Sequence, residues 1–151
     1  MREIKFRGKR VDNGEWVYGS LVQCDITGKR YILPMGSDAN ESDKVRHEGC
    51  LMLFTFEVIP ETVGQYTGLE DKNSKEIYEG DIIRVTNEVD EVNELDSDTG
   101  IGVVEWLDRW GFWNISNIEN GLGDILNCRY VEIIGNIHEN KYILKEGEDE
   151  R

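Results

Sequence analysis

The chain contains no run that approaches the roughly 18 uninterrupted apolar residues of a membrane-spanning helix. Its start, Met1-Arg2-Glu3-Ile4-Lys5-Phe6-Arg7, lacks the apolar core of a secretory signal. The expectation is a cytoplasmic protein with no membrane segment. Cysteine is sparse: Cys24, Cys50 and Cys128 are odd in number and widely spaced, which is not a disulfide framework. Free and mostly buried thiols are expected. Histidine is limited to His47 and His138, so few side chains titrate near neutrality. Basic charge is also in deficit, with 17 Lys and Arg against 31 Asp and Glu and a formal net charge of -14. Residues 1 to 60 hold nine of each sign, whereas residues 61 to 151 hold eight Lys and Arg against 22 Asp and Glu, so the excess is C-terminal. Such a field repels phosphate backbones and disfavours nucleic-acid binding through the C-terminal half. The one basic cluster is Arg2, Lys5, Arg7, Lys9 and Arg10.

What is present is a foldable, β-rich chain. With 151 residues, 38% of them hydrophobic, it can bury a core without metals or disulfides. Helical periodicity is scarce, and short β-type runs recur between Gly, Asn and Asp clusters, the pattern of an all-β protein. Strands are expected near Ile4 to Arg7, Trp16 to Val22, Lys29 to Leu33, Thr55 to Ile59, Ile82 to Val85, Ile101 to Trp106, Phe112 to Ile115 and Tyr130 to Ile134. An Asn-Gly turn at Asn13-Gly14 and a Gly turn at Asp25 to Gly28 make the first three an antiparallel meander. The segment from Val58 through Glu79 reads as a turn-rich connector that enters a strand through Gly80-Asp81. Ser42 to His47 reads as either one helical turn or a loop. Pro60 ends a β run and precedes the charge shift, so the expected lobes are 1–60 and 61–144. Residues 87–99 form an acidic protruding loop in this reading, and 145–151 an acidic frayed tail.

Five blocks occur in order along nearly the whole chain: Met1 to Arg7; Gly64-Gln65-Tyr66-Thr67-Gly68-Leu69; Lys75-Glu76-Ile77-Tyr78-Glu79-Gly80-Asp81-Ile82; Gly102-Val103-Val104-Glu105-Trp106; and Val131-Glu132-Ile133-Ile134-Gly135-Asn136-Ile137-His138-Glu139-Asn140. Together they resemble the YopX-like family of phage and prophage proteins. The resemblance implies a β-rich fold, with a C-terminal part similar to a small SH3-type barrel, and the capacity to self-associate. It implies no activity, and a small barrel by itself implies none. Ser74 departs from the family pattern, which carries Gly after Asp-Lys-Asn; the turn must then manage without glycine, through a left-handed residue at Asn73.

Aromatics concentrate at Trp106, Trp110, Phe112 and Trp113. By strand alternation Val104 and Trp106 share a face, as do Trp113 and Ile115, and these pairs are expected to fill the core. Trp110 falls in the turn between them, where burial is harder, which makes it a candidate contact anchor. The densest polar and aromatic cluster runs from Tyr66 to Asp81. Gly68, Gly80 and Asp81 read as turn residues, Asp81 accepting local backbone N–H bonds, and Tyr78 as a core or interface aromatic. The candidate interaction surface is Tyr66, Asp71, Lys75, Tyr78 and Trp110.

Neither a metal nor a cofactor is expected. His47 and Cys50 have the spacing of one zinc-ligand pair, but Cys24, Cys128 and His138 are scattered singly. Asp96-Ser97-Asp98-Thr99-Gly100 begins like a calcium loop, with Gly one position early and Leu107 where the final Glu would stand. No nucleophile-base motif or phosphate loop is present. Three readings follow. The first is a non-enzymatic protein-interaction or self-assembling module. The second is a nucleic-acid-linked role, through the basic cluster or through acidic imitation of nucleic acid. The third is a hydrolase using carboxylates without a recognisable motif.

Overall fold

In the computed structural model, residues 2–34, 55–87 and 98–144 are described. The expected helical turn at 42–47, with His47 and Cys50, lies outside them, as do 88–97 of the acidic loop and the tail from 145. The chain forms two compact units, Met1–Tyr66 and Thr67–Arg151.

The first unit is an antiparallel meander, β1 (Phe6–Lys9), β2 (Trp16–Gln23), β3 (Arg30–Pro34) and β4 (Phe56–Val58), with the start of β5 (Gly64–Glu70) added beside β1. Register runs from Phe6 opposite Gly19 to Lys9 opposite Trp16, and from Gly19 opposite Pro34 to Gln23 opposite Arg30. The turns that set it are those the sequence marks. Gly14 takes φ +72°, which an L side chain rarely adopts, and the Asn13 side-chain oxygen accepts the Glu15 N–H at 2.9 Å. Alternation places Phe6, Val17, Leu21, Ile32, Phe56, Val58 and Val63 in one cluster. Gly8 belongs to that face too, and a Cβ there would sit 2.9 Å from the Cβ of Val58. Pro60 opens a short 3-10 turn, Pro60–Thr62, at the first helical position, where its missing N–H costs nothing.

In the second unit the latter part of β5 pairs with β6 (Glu76–Tyr78). β7 (Asp81–Thr86), β8 (Gly100–Leu107), β9 (Phe112–Ile115) and β10 (Tyr130–Asn136) make a four-stranded antiparallel sheet in the order β10-β7-β8-β9. A seven-residue helix, α1 (Leu122–Cys128), precedes β10. The core collects Ile77, Ile83, Val85, Val104, Ile115, Ile118, Leu122, Ile125 and Val131. Each contributes about 1.5–3 kcal/mol when fully buried.

The protein is therefore mostly β, in two antiparallel sheets. Two local expectations are corrected, and α1 was not foreseen. The stretch from 64 to 78 is not a connector but the strands β5 and β6. Nothing in Gly64-Gln65-Tyr66-Thr67 is a β-branched run; the segment is extended because Gln65 and Gly64 pair with Phe6 and Arg7, almost sixty residues earlier. The helix α1 escapes a periodicity argument because it has under two turns, no side-chain cap and an internal Gly123. The left-handed residue of the Asp71 to Lys75 turn is not Asn73 but Ser74 itself, at φ +63°. A non-glycine residue there costs about 1–2 kcal/mol of conformational energy. Ser74→Gly is accordingly expected to stabilise the protein by about 0.5–1 kcal/mol, the gain being trimmed by glycine's freedom in the unfolded chain. Urea unfolding checks it, and an unchanged or lower midpoint would refute the strain argument.

Candidate functional site

The β8–β9 hairpin assembles its surface from strand alternation. Val104 pairs with Ile115, Glu105 with Asn114, Trp106 with Trp113 and Leu107 with Phe112. Val104 and Ile115 are buried. One repeat further out, the same face reaches the edge of the core, where Trp113 still packs against it. Trp113 is half-buried and Trp106 is 39% exposed, the two rings meeting edge-on at 4.9 Å and 65°. This corrects the expectation that Trp106 fills the core: its parity is right, but the strand extends beyond the layer that would cover it.

The turn from Asp108 to Gly111 is pinned by the Leu107 carbonyl, which accepts the N–H groups of Trp110 at 3.1 Å and Gly111 at 2.7 Å. Gly111 takes φ +68°. Trp110 is thereby held out from the sheet, 66% exposed, with the Arg109 guanidinium 5.2 Å from its ring centroid. Phe112, on the face opposite Trp113, is 40% exposed and lies against Gly121. On that face Asn114 donates to Glu105 at 3.0 Å. A short hairpin thus presents Trp106 on one face, Phe112 on the other and Trp110 in the turn between them, all open to solvent, and exposed aromatics at a hairpin tip are candidate contact anchors.

The other candidate surface residues behave differently. Tyr66 is buried in the first unit, its N–H donating to the Lys5 carbonyl at 2.8 Å and the Lys5 ammonium 5.2 Å from its ring centre. Asp71 is buried, and its carboxylate accepts the N–H groups of Asn73, Lys75 and Ile133. Tyr78 is buried, its N–H donating to Asp81 Oδ2 at 2.7 Å and its hydroxyl to Glu76 Oε1 at 3.2 Å. Of the five, Lys75 and Trp110 present exposed side chains. Sequence reasoning missed Trp106 and Phe112 as surface groups; the available signal was that both lie at the turn end of their strands, beyond Val104 and Ile115.

Two members of the basic cluster are seated on aromatic rings of the first sheet. Arg7 is buried, with its guanidinium 4.7 Å over the Trp16 ring, and the Arg10 guanidinium lies 4.0 Å over Phe56. Arg10 also pairs with Asp12 through two bonds of 2.9 and 2.6 Å, which hold the Asp12 carboxyl below the usual carboxylate range. The expectation of mostly buried thiols fails at both described cysteines: Cys24 is partly exposed and Cys128 exposed. The Cys24 thiol is lowered by its hydrogen bonds to Thr27.

Among the described residues, no three His, Cys, Asp or Glu side chains gather where they could hold a metal ion. Asp98, from the stretch that begins like a calcium loop, accepts from the Asn120 side-chain NH2 on both carboxylate oxygens, at 3.0 and 2.8 Å. His138 follows β10 in a turn, its N–H donating to Asn136 Oδ1 at 3.0 Å. No helix among the described residues is long and apolar enough to cross a membrane.

The crystal structure of protein EF1440 from Enterococcus faecalis is similar over 95% of this chain and 99% of that one, with a TM-score of 0.53 and 23% sequence identity, a likeness of fold alone. No curated protein matches the sequence. The family model described as YopX protein matches residues 5–145, nearly the whole length. The chain belongs to the YopX protein family.

Proposed function

We propose that this chain is a non-enzymatic protein-interaction module, encoded by a phage or prophage and working in the cytoplasm of the bacterial host. Its contact surface is the tip of the β8–β9 hairpin. The observation that carries this reading is the exposure of Trp106, Trp110 and Phe112 on one short hairpin whose base is anchored in the core by Val104 and Ile115. A rigid base under exposed aromatics lowers the ordering cost of binding, because the side chains are already presented. In this reading the second unit is a small SH3-like barrel that serves as scaffold. The partner is another protein or a second copy of the chain, since aromatic anchors serve either.

A second reading draws on charge. The acidic bias beyond residue 60 favours a surface that imitates nucleic acid and occupies a basic protein. Direct phosphate contact through the N-terminal cluster is less favoured, because Arg7 and Arg10 are already seated on Trp16 and Phe56.

The test is photocrosslinking in host cells from a photoreactive amino acid placed at position 110, with position 26 as control. Ile26 is 97% exposed in the first unit. A discrete crosslinked protein, self or other, is expected from position 110 and not from position 26. Identical patterns from both positions would remove the hairpin tip as the contact surface.

A further inference from the structure

Resting on the hairpin reading, we infer that the partner of this tip is a protein segment rich in arginine or lysine, whose cations lie on the faces of Trp110 and Trp106 within the acidic field of the second unit. Three observations converge on it. The first is charge. The second unit, residues 67–151, carries eight Lys and Arg against 21 Asp and Glu, whereas the first, residues 1–66, carries nine against ten. Around the hairpin the imbalance is sharper: between Asp98 and Asp124, Arg109 is the one cation and Asp98, Glu105, Asp108, Glu119 and Asp124 are the anions. A field of that sign attracts a cationic segment and raises its association rate, and it repels a phosphate backbone.

The second is the chemistry of the exposed groups. Indole is the best of the aromatic side chains for holding a cation over its face, and guanidinium groups use it more than ammonium groups do. The hairpin already contains such a contact, since the Arg109 guanidinium lies 5.2 Å from the Trp110 ring centre while 66% of the residue stays open to solvent. An incoming guanidinium would use the same kind of contact. The third is register. Trp106 and Trp113 are cross-strand partners in edge-on contact, and Trp110 stands in the turn beyond them. The exposed rings are therefore spread along the hairpin, which suits an extended segment with spaced cations better than a single small ligand.

Both elements are needed. Acidic charge without the rings would hold any polycation loosely and without a preferred site. The rings without the charge would favour an apolar segment. Trp110→Ala separates the two, because it removes the ring and leaves the net charge unchanged, and its position in a solvent-facing turn keeps it out of the core.

The experiment titrates the full chain with a synthetic peptide alternating arginine with alanine, its counterpart in which citrulline replaces every arginine, and single-stranded oligothymidine. Binding is read by calorimetry at low and at moderate salt, with sedimentation velocity run on the same samples. The arginine peptide is expected to bind, to lose about tenfold in affinity with Trp110→Ala, and to weaken as salt rises. The citrulline peptide and the oligonucleotide are expected to bind at least about tenfold more weakly. Equal binding of the citrulline peptide, if lost in Trp110→Ala, overturns the cationic partner and leaves the hairpin as a contact surface. So does self-association that disappears with Trp110→Ala in the absence of peptide. Arginine-peptide affinity that ignores both Trp110→Ala and Trp106→Ala, or no binding at all, overturns the inference; the crosslinking result from position 110 then decides separately whether the hairpin reading stands.

Discussion

Gly102→Ala is expected to destabilise the protein by about 3 kcal/mol or more, enough to remove a large part of the stability of an ordinary domain. Gly102 lies in β8 opposite Ile83 of β7, on the side that faces the core. A Cβ at this position would stand 2.0 Å from the carbonyl oxygen of Ser116 and 2.7 Å from Cγ2 of Ile115. Neither neighbour can yield cheaply. Ser116 is tied back to β8 twice, its N–H donating to the Val103 carbonyl at 3.0 Å and its hydroxyl oxygen accepting the Val103 N–H at 2.8 Å. Ile115 is fully buried. Overpacking of a side chain against side chains typically costs about 1–3 kcal/mol; here the obstacle is main chain, so the cost falls at or above the top of that range. The measurement is urea unfolding followed by tryptophan fluorescence, to which Trp106, Trp110 and Trp113 of the second unit report. Gly123→Ala is the matched control: nothing lies within 4 Å of its Cβ position, and alanine in α1 is expected to add up to about 1 kcal/mol of stability. Equal effects of the two substitutions would mean that the close approach at Gly102 is not a constraint.

Asp71→Ala is expected to cost about 3 kcal/mol, and Asp71→Asn about half of that. The Asp71 carboxylate joins two regions far apart in sequence. Its Oδ1 accepts the N–H groups of Asn73 and Lys75, each at 2.9 Å, which closes the turn between β5 and β6. Its Oδ2 accepts the N–H of Ile133 in β10 at 3.1 Å, and beside it the Lys72 N–H donates to the Val131 carbonyl at 2.8 Å. With alanine, the turn amides can turn to water, but the Ile133 N–H is left with a lost charged acceptor in a half-buried strand, where such bonds are worth about 1.5–3 kcal/mol. Asparagine keeps one oxygen for the turn and sets an NH2 group against the Ile133 N–H. Amide hydrogen exchange gives the specific readout: protection at Ile133 should fall in both variants, and protection at Asn73 and Lys75 chiefly in the alanine variant. Unfolding losses below about 1 kcal/mol in both would show that the bridge from the turn to β10 is incidental.

The parts of this fold that are local in origin were readable from the chain. Short runs of β-branched and aromatic residues between Gly, Asn and Asp clusters mark β2, β3, β7 and β8, and Asn13-Gly14 marks the first hairpin, because strand preference and a turn's φ requirement are both written in adjacent residues. Asp81 as an acceptor of a local N–H follows for the same reason, and it bonds to Tyr78 three residues away. Trp110 was legible as an exposed side chain because it sits in a turn. The position of Ser74 was legible as a problem, though which residue would take the left-handed conformation was not, since a one-residue choice inside a turn depends on the hydrogen bonds that close it.

By itself, then, the amino-acid order determined the β class, the antiparallel first hairpins, the placement of acidic charge and the presence of an aromatic hairpin. Only the tertiary structure decided that Gly64–Glu70 is a strand, that Tyr66, Asp71 and Tyr78 are buried while Trp106 is not, and that α1 forms at all. The division has a physical cause. Turn geometry and side-chain alternation act over two to five residues, whereas a strand such as β5 becomes extended through pairing with β1, and a side chain such as Trp106 is buried or exposed according to how far the opposing layer reaches. Those are properties of residues brought together from distant parts of the chain, so no window along it contains them.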